Sequence, residues 1–259
     1  MSEPIRQEPR KPGDWEYSVK DSLKSKINID KLGDQFEKKL QKNYTPEKTY
    51  EEKKKMVFAE DIAERFLNLL VENVPQCGFE PPSSGKIYIL DIGCGYTPEA
   101  SVVISYFSGN DFNSKDREGV SFFGIDNNRE SIEEVRQRSA ATKPECTFIL
   151  GDATRLDDFP EIPKKVHVVI FRHPKITEDK KTGGIWSRMF EQARERLADG
   201  GIAIFTTFLK EEQEMLADKL NKLGYEVIIK KTNERAIPIP DVPKAANDGY
   251  VIIARASKR

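Results

Sequence analysis

The chain has 259 residues, 37% of them hydrophobic and 33% charged, with a net charge of −1. That length suits one substantial core, and no apolar run approaches the roughly 20 residues of a membrane helix. Residues 1–55 hold 14 Lys/Arg against 11 Asp/Glu, leaving 28 against 32 for the remainder. The strong basic excess of a sequence-independent nucleic-acid binder is therefore missing, which favours a small-molecule partner and makes RNA the second choice. The N-terminus MSEPIRQEPRKPGDW lacks an apolar signal-peptide core, and the three cysteines (Cys77, Cys94, Cys146) lack metal-ligand spacing. Sparse, odd cysteines suit a reducing compartment, so the expected location is the cytoplasm, with no membrane partner. Oligomeric state is not legible.

Residues 1–13 are Pro- and charge-rich, a composition that predicts disorder. Scattered apolar positions over 14–42 predict one or two short helices. Together these make 1–44 an N-terminal extension preceding one domain over 45–259. Thr45-Pro46-Glu47 is a helix-start signature, and Ala59, Ile62, Ala63, Phe66, Leu70 and Val74 follow at helical spacing. Residues 75–86, with three prolines, predict a loop.

From residue 87 short apolar runs alternate with amphipathic stretches. Strands are expected at 87–91, 121–126, 147–151, 166–171, 201–207, 225–230 and 249–255. Helices are expected at 98–107, 129–141, 185–198 and 211–223. The alternation predicts an α/β fold with a doubly wound, mostly parallel seven-stranded sheet. No helix separates the last two strands, which are expected to pair antiparallel.

The first of these strands runs into Asp91-Ile92-Gly93-Cys94-Gly95-Tyr96-Thr97-Pro98-Glu99. Glycines permit a sharp turn and close approach of a ligand, and a helix start beyond it offers N–H groups to an anion. The dinucleotide fingerprint G-x-G-x-x-G would need glycine where Pro98 stands, and Glu99 would sit badly beside a pyrophosphate. A zwitterionic amino-acid moiety tolerates that acid. Leu90-Asp91-Ile92-Gly93-Cys94-Gly95 resembles the first motif of the class I methyltransferases that use S-adenosylmethionine (SAM). Many members carry a further glycine where this chain has Thr97.

The second strand ends in Asp126, followed by Asn127, where a nucleoside-binding α/β domain places a carboxylate for the ribose hydroxyls. Asp126 lies 31 residues after Gly95 rather than about 20. Residues 108–119, SGNDFNSKDREG, account for the excess if they form a surface insertion. The third strand ends in Gly151-Asp152-Ala153, which resembles the family's G-D-A segment. The resemblance implies that Asp152 accepts from the adenine amino group and that the Ala153 N–H meets a ring nitrogen. It covers about residues 59–255 and implies SAM as cofactor, with Asp91, Gly93, Gly95, Asp126, Asn127, Asp152 and Ala153 at its pocket.

In the same family the fourth strand points towards the transferred methyl. Here it ends Phe171-Arg172-His173-Pro174, without the D/N-P-P-Y/F/W pattern of amide and nucleobase N-methyltransferases. Arg172 is a candidate clamp for an anionic acceptor and His173 a candidate base. His167, at the strand's start, is expected to be structural. Trp186 is a candidate pocket wall or core residue. Residues 14–44 and the 231–248 connection are candidate specificity elements. The resulting reading is methyl transfer to an oxygen or nitrogen of a small molecule. Its alternatives are an RNA methyltransferase, an aminopropyl transferase, a NAD(P)-dependent oxidoreductase or a non-catalytic SAM-binding scaffold.

Overall fold

The computed structural model describes residues 50–109, 112, 117–139, 145–178, 184–239 and 244–257. The chain divides into two compact units, Met1–Lys55 and Met56–Arg259. The expected extension over 1–44 and the helix start at Thr45 lie outside the described residues. The second unit carries all the strands of the described residues.

Helix α1 spans Tyr50–Asn73 and passes into a 3-10 turn over Val74–Cys77. After it come β1 (Gly85–Ile92), α2 (Ala100–Phe107), β2 (Arg117–Asp126), α3 (Arg129–Ser139) and β3 (Cys146–Leu150). The second half holds β4 (Val166–Arg172), α4 (Ile185–Arg196), β5 (Leu197–Thr207), α5 (Lys210–Lys222) and β6 (Tyr225–Thr232). A two-residue ribbon, β7 (Ile237–Pro238) with β8 (Ala246–Asn247), precedes β9 (Tyr250–Ala256). The main sheet has seven strands in the order β3-β2-β1-β4-β5-β9-β6. β1 to β5 run parallel, and β9 pairs antiparallel with both β5 and β6. The order reverses between β1 and β4, the switch point where an open α/β sheet leaves a crevice at its strands' carboxyl ends.

Both faces are covered, as uninterrupted apolar strands require. Ile87, Ile89, Phe122, Val168 and Ile170 face one side, with Phe66, Leu69 and Leu70 of α1 and Val103 and Phe107 of α2. Leu90, Ile92, Ile125, Val169 and Phe171 face the other, with Phe190 of α4 and Leu216 and Leu220 of α5. Ala63, Phe66, Leu70 and Val74 form the core face that their spacing predicts. His167 is structural: its Nδ1 accepts the Tyr88 N–H at 3.0 Å and its ring stacks on Tyr88.

Two expectations need correction. Residues 108–119 are not wholly an insertion. Arg117–Gly119 belong to β2, and the Arg117 guanidinium donates to the Pro82 carbonyl at 2.9 Å. Phe112, the apolar member of that stretch, packs against Phe79, Tyr106 and Phe107. The predicted loop over 75–86 is also shorter, because Val74–Cys77 form the 3-10 turn and β1 begins at Gly85.

Candidate active site

The turn after β1 is knitted to the end of β2. The Gly93 and Cys94 N–H groups both donate to the Ile125 carbonyl, at 2.9 and 3.2 Å. Gly93 and Gly95 take φ of +72° and +52°, a region that suits glycine, and a Cβ on Gly95 would stand in open space. A Cβ on Gly93 would lie 3.6 Å from the Trp186 ring, so Trp186 walls the turn while also packing on the core beside Phe190. Cys94 fills the notch left by Gly124, where a Cβ would come within 2.9 Å of its sulfur. Burial raises the Cys94 thiol well above its ordinary range, and nearby Asp91 adds to this, so it is no nucleophile.

Asp126 closes this cradle. Its Oδ2 accepts the Gly95 N–H at 2.8 Å and its Oδ1 accepts the Asn128 N–H at 2.8 Å. Asn127 is exposed beside it, and Asn128 accepts the Ser131 N–H with its side chain at the start of α3. The Gly151 N–H donates to the Asp126 carbonyl at 2.9 Å, bringing the end of β3 alongside. Asp152 accepts the Thr154 N–H at 2.9 Å, and that bond holds its exposed carboxyl below the usual range. Ala153 is buried next to it. The structure thus brings Asp91, Gly93, Gly95, Asp126, Asp152 and Ala153 to the carboxyl ends of three adjacent strands.

Thr97, where many class I methyltransferases have glycine, keeps a left-handed backbone with φ +33°. Its hydroxyl donates to Asp91 Oδ2 at 2.8 Å instead of capping α2. Asp91 is 1% exposed. Burial, reinforced by the charge of Glu99, pushes its carboxyl up to about 8, so it is protonated at neutral pH.

The end of β4 departs most from expectation. Arg172 is not open to an anion. Its Nη1 meets Glu99 Oε1 at 2.8 Å, and its Nε and Nη2 fork onto Asp248 at 3.1 and 2.5 Å. The guanidinium also lies over Phe66, 5.0 Å from the ring centre. Burial opposes its charge, yet Glu99 and Asp248 outweigh burial and hold the proton more tightly. Asp248 is likewise opposed by burial, but Arg172 and His173 hold its carboxyl well below the usual range. Thr206 adds a third donor to Asp248 at 2.6 Å.

His173 is not an open base either. Its Nε2 lies 3.1 Å from both the Asp248 N–H and the Asp248 carboxylate, and its ring stacks on Phe208 with centroids 3.8 Å apart. If Nε2 accepts the N–H, the neutral ring carries its proton on Nδ1; if Nε2 donates to the carboxylate, the ring is cationic or its only lone pair is on Nδ1. In the first arrangement the ring's lone pair is engaged by the Asp248 N–H; in the second that N–H loses it as an acceptor.

Sequence reasoning missed Asp248 and undervalued Glu99. Asp248-Gly249 is a turn dipeptide that could have flagged the first, and the acid at the N-terminus of α2 the second. Glu99 Oε2 is buried and has no hydrogen-bond partner among the described residues.

Residues 83–241 match the family model described as "Methyltransferase domain". The chain belongs to the methyltransferase-domain family. Its fold is shared with a SAM-dependent methyltransferase from Clostridium acetobutylicum, at 9% identity, TM-score 0.52, and 89% and 99% coverage of the two chains. It is also shared with a glycopeptide N-methyltransferase complexed with sinefungin, at 12% identity, TM-score 0.52, and 74% and 87% coverage. No curated protein matches the sequence. SAM is the cofactor of this methyltransferase. Three features fit it: the open glycine turn, the two-oxygen acceptor of Asp126, and the orphaned Glu99 oxygen in a site of excess negative charge.

Proposed function

We propose that this methyltransferase moves the methyl group of SAM to an oxygen or nitrogen of a small-molecule acceptor. The Asp126 carboxylate carries the reading of the donor site. Backbone N–H groups fix both of its oxygens, and each retains a lone pair for a ribose hydroxyl. The small-molecule acceptor is supported by a net charge of −1, which lacks the overall basic excess that favours a phosphate backbone.

Bound SAM supplies an electrophilic methyl on a sulfonium leaving group. The chain's own residues orient and enclose. Asp126 sets the ribose end, Asp152 and Ala153 the adenine end, and Trp186 walls the turn. Orientation of two reactants alone is worth several powers of ten in rate. Arg172 and His173 act as positioning residues in this reading, tying the ends of β4 and β5 to the start of α2 and the turn before β9.

Two measurements test it. Calorimetry should give binding of SAM and S-adenosylhomocysteine but not of NAD; NAD binding alone would favour an oxidoreductase. Incubation of cell extract with methyl-labelled SAM and the added chain should then place label in an ultrafiltrate compound that chromatography separates from SAM. Label confined to nuclease-sensitive material would move the acceptor to RNA.

A further inference from the structure

Around the turn after β1 three carboxylates, Glu99, Asp248 and Asp126, meet two guanidiniums, Arg172 and Arg138, the second of which donates to the Tyr96 carbonyl. Arg172 bridges Glu99 and Asp248 and so balances one of two negative charges. Asp126 adds another acid at the far side of the turn. Glu99 divides its two oxygens unequally. Oε1 takes Arg172 Nη1 at 2.8 Å, whereas Oε2 is buried with no donor among the described residues. The residue itself is 2% exposed. A buried carboxylate oxygen left unpaired is costly, and native structures keep such an atom where something else completes it.

Place and chemistry name the missing group. Glu99 directly precedes α2 and follows the open turn over Gly93–Thr97 by two residues. Its charge is felt by Asp91 on the other flank of that turn. A helix N-terminus beside the turn suits a carboxylate ligand, and an acid there suits an ammonium. An α-amino acid carries both groups on one carbon.

We propose that Glu99 is the receptor for the α-ammonium of the methyl donor, with Oε2 accepting its N–H and Arg172 holding the carboxylate in register through Oε1. Arg172 is a positioning residue in this arrangement. The inference rests on the SAM reading of the pocket and adds a specific acceptor to it. Shielded from bulk water, the oxygen gains more from a cation bringing its own donors than a surface carboxylate would.

The test compares Glu99→Gln with the unaltered chain by calorimetry, using three probes. SAM and S-adenosylhomocysteine both carry the α-ammonium; 5′-methylthioadenosine keeps the nucleoside and thioether but lacks the amino-acid portion. Glu99→Gln should weaken SAM and S-adenosylhomocysteine by about tenfold to a hundredfold, the loss of one charge-assisted bond, and leave 5′-methylthioadenosine unchanged. The unchanged third probe also certifies that the variant's nucleoside site is folded. Equal weakening of all three would make Glu99 a prop of the turn and overturn the proposal. Unchanged affinities would overturn it too. Loss confined to SAM would put the oxygen at the sulfonium instead. If the unaltered chain binds none of the three, the SAM reading fails as a whole, and this proposal with it.

Discussion

Each oxygen of Asp126 accepts one backbone N–H, from Gly95 and from Asn128, so the carboxylate is oriented before any ligand arrives. Asp126→Ala should weaken SAM by about a hundredfold or more, since two hydrogen bonds to a charged group, roughly 1.5–3 kcal/mol each, are lost. Calorimetry on a variant with an unaltered circular dichroism spectrum checks this, and unchanged affinity would remove Asp126 from the pocket. Arg172 poses the opposite problem, being the cation between two buried acids. Arg172→Met should destabilise the fold by about 3–5 kcal/mol, because Glu99 and Asp248 are left buried without it. A urea titration reads that loss, and a change near zero would mean that the acids take up protons or water at little cost. The sequence put Asp126 in view because a strand, a glycine turn and a strand-end acid are local patterns. It could not put Arg172 beside Glu99 and Asp248, which lie 73 and 76 residues away and meet it only through the sheet.

The elements were the most legible level, because their signals are short in range. Period and length locate β1 to β6 and α2 to α5 to within a few residues, apart from β2 and β5, which begin four residues earlier than expected. The antiparallel end of the sheet follows from the missing crossover helix. What local pattern conceals is tertiary demand on a polar stretch. SGNDFNSKDREG looks like surface, yet its one phenylalanine joins an aromatic cluster and its last three residues extend β2. Ribbon β7–β8 was equally hidden. Its residues read as a stiff connection, whereas Ala246 donates to the Phe208 carbonyl at 3.1 Å and the following turn delivers Asp248 to β4. These contacts decide which positions of the stretch after α2 bear on stability. Glu118→Ala, at an exposed position of the same stretch, should leave the melting temperature nearly unchanged, as surface substitutions do. Phe112→Ala should lower stability by about 3 kcal/mol, as loss of a packed aromatic does. Thermal melts of the two variants separate the cases, and equal stability of both would return Phe112 to the surface.

Across the whole molecule, two buried carboxyls give stability opposite dependences on pH. Asp91 keeps its proton up to about pH 8 in the folded chain, whereas an unfolded aspartate releases it near ~3.9. Between those values the folded state binds more protons than the unfolded state, so rising pH lowers the unfolding free energy. Asp248 behaves in the reverse sense. Its folded carboxyl titrates below the unfolded value, so its contribution is complete above that value and is lost as acid protonates it in the fold. The charge of Asp248 is needed to hold Arg172, and the proton on Asp91 relieves repulsion from Glu99, so the same cluster is stressed from both directions. Melting temperature should therefore decline from mildly acidic towards alkaline pH and fall again under strong acid. Asp91→Asn separates the two effects, because the amide oxygen can still accept the Thr97 hydroxyl but has no proton to lose. Its melting temperature should change less than that of the unaltered chain between about pH 5 and pH 8, while the acid limb set by Asp248 stays in place. Parallel curves across that range would mean that Asp91 is ionised in the fold throughout, and the buried acid would then need a counter-ion closer than Arg172.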